Sequence, residues 1–99
     1  MLEIRTIPEG EKLTVALTGR LDTITSPDLE KCLAAGLEGI RKLVLDFAGL
    51  DYISSAGLRV LLMTQKTMNE KGSMKVVHVQ EPILEVLEVT GFAEILNLE

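Results

Sequence analysis

Ser54 and Ser55 sit between an apolar run with a glycine-containing tail, Asp46-Phe47-Ala48-Gly49-Leu50-Asp51-Tyr52-Ile53, and the segment Ala56-Gly57-Leu58-Arg59-Val60-Leu61-Leu62. The pattern predicts a buried strand over residues 43–47, a loop over 48–53 and a helix that starts at the serines. Hydroxyls at a helix start are exposed and the local backbone N–H groups point outward, which suits a phosphate. Two roles fit such a pair. One is the N-cap, the commonest reason for serine there, worth about 1 kcal/mol. The other is phosphorylation, which would add about −1.5 to −2 charges and three strong acceptor oxygens. A phosphate at a helix N-terminus need not melt the fold. It would turn a neutral, close-fitting patch anionic and bulky, and a partner packed there would be repelled.

Other residue types that could do chemistry find no partners by spacing. His78, the one histidine, falls in a predicted strand among valines and reads as a partly buried strand residue. Asp22, Asp46 and Asp51 each lie near a loop or a strand end. Three carboxylates could hold a divalent cation if the fold gathered them, but their spacing matches no metal loop, and solvated or capping roles are expected. Ala48-Gly49 and Ala56-Gly57 are too sparse for a Walker loop or a dinucleotide fingerprint. With one cysteine, Cys32, and one histidine, a Cys/His zinc site within the chain is not available. Cys32 reads as a small core residue and Met63, Met68 and Met74 as core filler. No catalytic base is placed beside either serine, so the chain is not expected to be an enzyme.

Composition narrows the partners. The net charge is −5, with 15 acidic against 10 basic residues. That balance is a poor match for nucleic-acid phosphates, whose binding depends on Lys and Arg releasing counterions. It also gives no basic patch for a membrane surface. Trp is absent, and Tyr52, Phe47 and Phe92 are too few for a base-stacking platform. No apolar run approaches the ~20 residues of a membrane span, and no basic leader precedes an apolar block. A cytoplasmic protein without direct membrane contact is the expectation. At 99 residues, with 46% apolar, the chain is long enough for one domain with a modest core, spanning residues 1–99.

The elements that must position the serines follow in order. Residues 2–7 alternate at strand period, and Pro8-Glu9-Gly10-Glu11 predicts a turn into a second strand over 12–18, with Leu13, Val15 and Leu17 on one face and Gly19 ending it. A loop over 20–25 carries Asp22. Ser26 is the expected N-cap and Pro27 the first helical residue of a helix whose inward stripe is Leu29, Cys32, Leu33 and Leu37, ending at Gly36 or Gly39. The continuous apolar run 43–47 predicts a strand covered on both faces. The helix from the serines runs to about Lys71, with Leu58, Leu61, Leu62, Gln65 and Met68 inward, Val60 and Met63 widening that face, and Gly72 stopping it. A strand over 74–79 and a helix from Glu81-Pro82 follow, the latter with Ile83, Leu84, Val86, Leu87 and Val89 inward. Residues 92–98 form a tail expected to dock as a short turn or strand. The order β-β-α-β-α-β-α predicts an α/β domain: a mixed β-sheet, two parallel crossovers and helices packed on it.

Gly19-Arg20-Leu21-Asp22, Leu43-Val44-Leu45-Asp46-Phe47 and Tyr52-Ile53-Ser54-Ser55-Ala56-Gly57-Leu58-Arg59-Val60-Leu61 together resemble the STAS domain family, the anti-sigma factor antagonists and their relatives. The resemblance covers essentially the whole chain and extends to the order of elements. It implies a partner-switching regulator. In the unphosphorylated form such a domain binds an anti-sigma factor serine kinase, which frees a sigma factor; the kinase uses ATP to phosphorylate it, and a serine phosphatase resets it. Alignment on Gly57-Leu58 places the phosphoacceptor on Ser55, the loop aspartate on Asp22 and the strand-end aspartate on Asp46. The sequence departs from the common pattern at Ser54, where many members carry Asp, at Ala56, where many carry a hydroxyl residue, and at Arg59, where many carry Gly.

The expected interaction face comprises Asp22, Ser54, Ser55, Gly57, Arg59 and the exposed side of the helix over 56–71. No cofactor and no metal is implied. The alternative within the same family is a non-switching subunit of a signalling or transporter complex. From a different class, a small nucleotide-binding domain has only weak support, since no phosphate loop is visible.

Overall fold

The computed structural model describes residues 1–99. Its elements are β1 (Leu2–Glu9), β2 (Lys12–Leu21), α1 (Ser26–Gly36), β3 (Lys42–Ile53), α2 (Ser55–Lys71), β4 (Ser73–Val77), α3 (Glu81–Val89) and a short α4 (Phe92–Ile95). The four strands form one mixed sheet in the order β1-β2-β3-β4. β1 and β2 are an antiparallel hairpin, while β2–β3 and β3–β4 are parallel. The predicted α/β architecture is therefore present, and α4 is the short turn expected in the tail.

Period-two alternation sets the sheet's core face. Leu13, Val15 and Leu17 of β2, Leu43, Leu45 and Phe47 of β3, and Met74 and Val76 of β4 are buried in one cluster. Leu29 and Leu33 of α1, Leu58, Leu61 and Met68 of α2, and Ile83 and Leu87 of α3 join the same cluster. On the opposite face Thr14, Ala16, Asp46, Lys75 and Val77 are half-buried, and only Val44 is closed off. The expectation that β3 is covered on both faces thus holds at one residue of that second face.

Several boundaries differ from the sequence reading, each for a local reason. β2 does not end at Gly19. Gly19 takes φ +107, its absent Cβ leaves room for the Met1 carbonyl, and the strand continues to Leu21. Residues 48–53 are not a loop but the second half of β3. Gly49, Leu50, Tyr52 and Ile53 pair with Thr18, Gly19, Arg20 and Leu21 across two register shifts. Pro8 is tolerated inside β1 because that strand lies at the sheet edge. The N-cap of α1 is Thr25; Ser26 is already helical, and its hydroxyl donates to the Asp22 carbonyl. β4 stops at Val77, and His78 is neither strand nor buried: its φ is +57 and its ring is largely exposed. Met63 and Val89, both expected inward, are 51% and 83% exposed. Cys32 is half-buried, and burial pushes its thiol up from the ordinary range.

Beyond α4 the chain runs back along β4. The Val76 amide donates to the Asn97 carbonyl and the Glu99 amide to the Val76 carbonyl, both at 2.9 Å, making a parallel bridge at Leu98. No helix is long and apolar enough to cross a membrane.

The approach of α2 to the sheet is set by Gly57. This residue is buried in the first turn, and a Cβ there would lie 2.8 Å from Leu21 Cγ and 2.9 Å from Ile53 Cγ1. Those two leucine and isoleucine side chains end β2 and β3 and are themselves buried, so neither can yield easily. Gly57→Ala is expected to cost about 1–3 kcal/mol by overpacking. Urea denaturation of the variant beside wild type checks this through the midpoint.

Candidate functional site

The two serines are not equivalent: Ser54 caps the helix and Ser55 is left exposed. Ser54 is the N-cap of α2, with extended backbone at φ −101 and ψ 175. Its hydroxyl accepts from the Gly57 amide at 3.4 Å, and its carbonyl accepts from the Leu58 amide at 3.0 Å. Its own amide donates to the Leu21 carbonyl at 2.9 Å, which continues the β2–β3 ladder into the helix start. Ser55 is the first helical residue and is exposed. Its hydroxyl makes no hydrogen bond within the chain. Arg59 lies one helical turn further, on the same face by spacing, and is also exposed.

Asp22 organises the neighbouring loop between β2 and α1. Its Oδ1 accepts from the Ile24 and Thr25 amides, each at 3.0 Å. The Thr25 hydroxyl accepts from the Asp22 amide and donates to the Arg20 carbonyl, each at 2.8 Å. The Thr25 amide, with smaller help from the Thr25 hydroxyl and the Ile24 amide, holds the Asp22 carboxyl below its ordinary range despite some desolvation. The carboxylate therefore shapes the loop, and Ile24 at its tip is left 83% exposed.

A second feature of this face was not read from the sequence. The Arg20 guanidinium stacks over the Tyr52 ring at 4.0 Å from its centroid, with Nε 3.8 Å from Asp22 Oδ2. Both residues fall in segments that read as loops. Only the parallel pairing of Arg20 with Tyr52 brings them together.

Asp46 stands at the register shift in β3. Its Oδ1 accepts from the Ala48 amide at 3.0 Å and lies 3.0 Å from His78 Nδ1. Burial pushes the Asp46 carboxyl up, but the Ala48 amide and His78 outweigh it, and the net shift is downward. Gln80 ties the same region by donating to the Ala48 and Leu50 carbonyls. Asp22, Asp46 and Asp51 are not gathered: no three Asp, Glu, His or Cys side chains lie close enough to hold a metal ion. Gly57, expected on the partner-binding face, is buried and contributes close packing instead. Asp22, Ser54, Ser55 and Arg59 do lie on the connections and the helix start at the ends of β2 and β3.

The STAS domain model matches residues 2–99, and the chain belongs to that family. It is 39% identical over 85 residues to BtrV of Bordetella bronchiseptica, a candidate anti-sigma factor antagonist by its name, covering 84% of this chain and 73% of that one. An anti-sigma factor antagonist from Mycobacterium paratuberculosis has the same fold at TM-score 0.90 and 21% identity, covering 99% of this chain and 85% of that one. So does the Bacillus cell fate determinant SpoIIAA in its phosphorylated form, at TM-score 0.75 and 13% identity, covering 100% of this chain and 91% of that one.

The division between the serines is measurable. Ser54→Ala is expected to lose about 0.5–1 kcal/mol of stability, and Ser55→Ala close to none. Paired urea titrations read the difference, and equal losses would contradict it. The two depressed carboxyls give a pH dependence. A carboxyl whose folded pKa lies below its unfolded value contributes stability above the unfolded value, about 3.9, and loses it as pH falls through the folded one. The melting temperature is therefore expected to drop as pH falls below about 4. Asp22→Asn, which cannot titrate, should flatten part of that drop in a calorimetric series.

Proposed function

We propose that this chain is an anti-sigma factor antagonist that switches partners through the modification state of Ser55. The observation that carries the reading is the free, exposed hydroxyl of Ser55, left uncommitted because Ser54 supplies the cap. The family membership and the names of its relatives support the same role.

In this reading the unmodified face docks an anti-sigma factor that is also a serine kinase. The face offers the Ser54–Ser55 start of α2, the Asp22 loop with Ile24 at its tip, and the Arg20–Tyr52 stack. An exposed apolar tip beside an aromatic and an arginine is the composition of an interface anchor. The kinase transfers the γ-phosphoryl group of ATP: a bond forms from Ser55 Oγ to phosphorus, the β–γ bridge bond breaks, ADP leaves, and the hydroxyl proton passes to a kinase base. The exposed helix start accepts the new charge without unfolding. The docked surface does not, since a dianion now occupies a position that was neutral and close-packed. The complex dissociates, and a serine phosphatase restores the hydroxyl by hydrolysis.

Intact-mass analysis after incubation with the cognate kinase and ATP tests the acceptor. Wild type and Ser54→Ala are expected to gain one phosphate and Ser55→Ala none; a gain in Ser55→Ala would overturn the assignment. Ser55→Asp is expected to weaken kinase affinity by about tenfold or more, read by calorimetry.

A further inference from the structure

We infer that Arg59 is the residue that holds a phosphate on Ser55, and that this capture removes a cation from the docking face; the inference rests on Ser55 being the acceptor. Residues four apart on a helix are surface neighbours, and an anion N-terminal to a cation is the favourable order. Ser55 and Arg59 stand in that relation, on the first and second turns of α2, and both are exposed.

Arg59 has no competing partner. The residues three and four away along its helix are Ser55, Ala56, Leu62 and Met63, none of them acidic. The ion pairs in the structure join Arg20 to Asp22, Arg41 to Glu11, Lys75 to Glu99 and His78 to Asp46, and Arg59 takes part in none. In a chain with more acids than bases this is an unspent guanidinium. Arg20, the other cation of this face, is committed to the Tyr52 ring and to Asp22.

A planar guanidinium can take two phosphate oxygens at once, which a lysine cannot match. With Ser55 unmodified, Arg59 is free to meet an acidic group of the docked protein. With Ser55 phosphorylated, the nearest anion is its own. Modification then changes the face twice, by adding negative charge and by withdrawing the positive charge beside it.

The test installs phosphoserine at position 55 during synthesis, so that it does not depend on any kinase, and follows the phosphate by phosphorus NMR across pH. The second ionisation of a free phosphoserine lies near pH 6. Pairing with a cation favours the dianion and lowers that midpoint. Wild type is expected to titrate about half a unit below Arg59→Gln, with Arg59→Lys in between and Arg20→Gln like wild type. The gap should shrink in 1 M salt, where exposed charges are screened. Coincident curves for wild type and Arg59→Gln, or a larger shift in Arg20→Gln, would overturn the inference. Failure of a kinase to label Ser55 would instead count against the acceptor assignment, and is read in a separate experiment.

Discussion

The Ser54 amide donates to the Leu21 carbonyl at 2.9 Å, and that bond closes a parallel ladder that begins where Lys12 meets Lys42. Because β2 and β3 stay paired to their last residues, the loop after β2 and the helix after β3 leave the sheet side by side. Leu21 and Ile53, both buried, form the floor on which Gly57 lets α2 settle. Shortening either strand would lower that floor and separate the Asp22 loop from the serines. The placement of the site is thus a property of strand pairing rather than of any bond among the site's own side chains.

On that foundation the local chemistry is economical. One hydroxyl closes the helix start and the next is left to solvent. One carboxylate, Asp22, is consumed in shaping its loop, which leaves Ile24 and the Arg20–Tyr52 stack as the projecting groups. Serine in place of a charged cap at position 54 keeps the helix start neutral. The charge at this face therefore comes from Arg20, Arg59, the Asp22 carboxylate and whatever Ser55 carries.

Much of this was legible in the sequence, because strong alternation in β2 and helical spacing in α2 leave little freedom. The resemblance assigned roles to Asp22, Asp46 and Ser55; in the fold Asp22 and Ser55 follow the ends of β2 and β3, while Asp46 stands at the register shift beside His78. The second half of β3 was not legible. Leu50 and Ile53 are its buried residues; with Phe47 before them they make a spacing of three that is invisible to a period-two template. The register shifts that create this spacing depend on the neighbouring strand. The Arg20–Tyr52 stack was lost with it. His78 looked like one more strand residue, but the strand needs only five residues, and the chain turns at His78 through a left-handed conformation beside Asp46. Val89 has helical spacing from Val86, yet it stands two residues from buried Leu87, about 200° around the helix, and so faces solvent.

The return of the tail along β4 has a consequence for life at high copy number. An open sheet has two raw edges, each a template for another copy's backbone. Here the segment through Leu98 occupies the outer side of Val76, so the β4 edge is already spoken for. The remaining edge is β1, which carries Pro8 and exposed Glu3, Arg5 and Glu9, all poor material for a further strand. The domain is thereby discouraged from zipping onto itself along the sides.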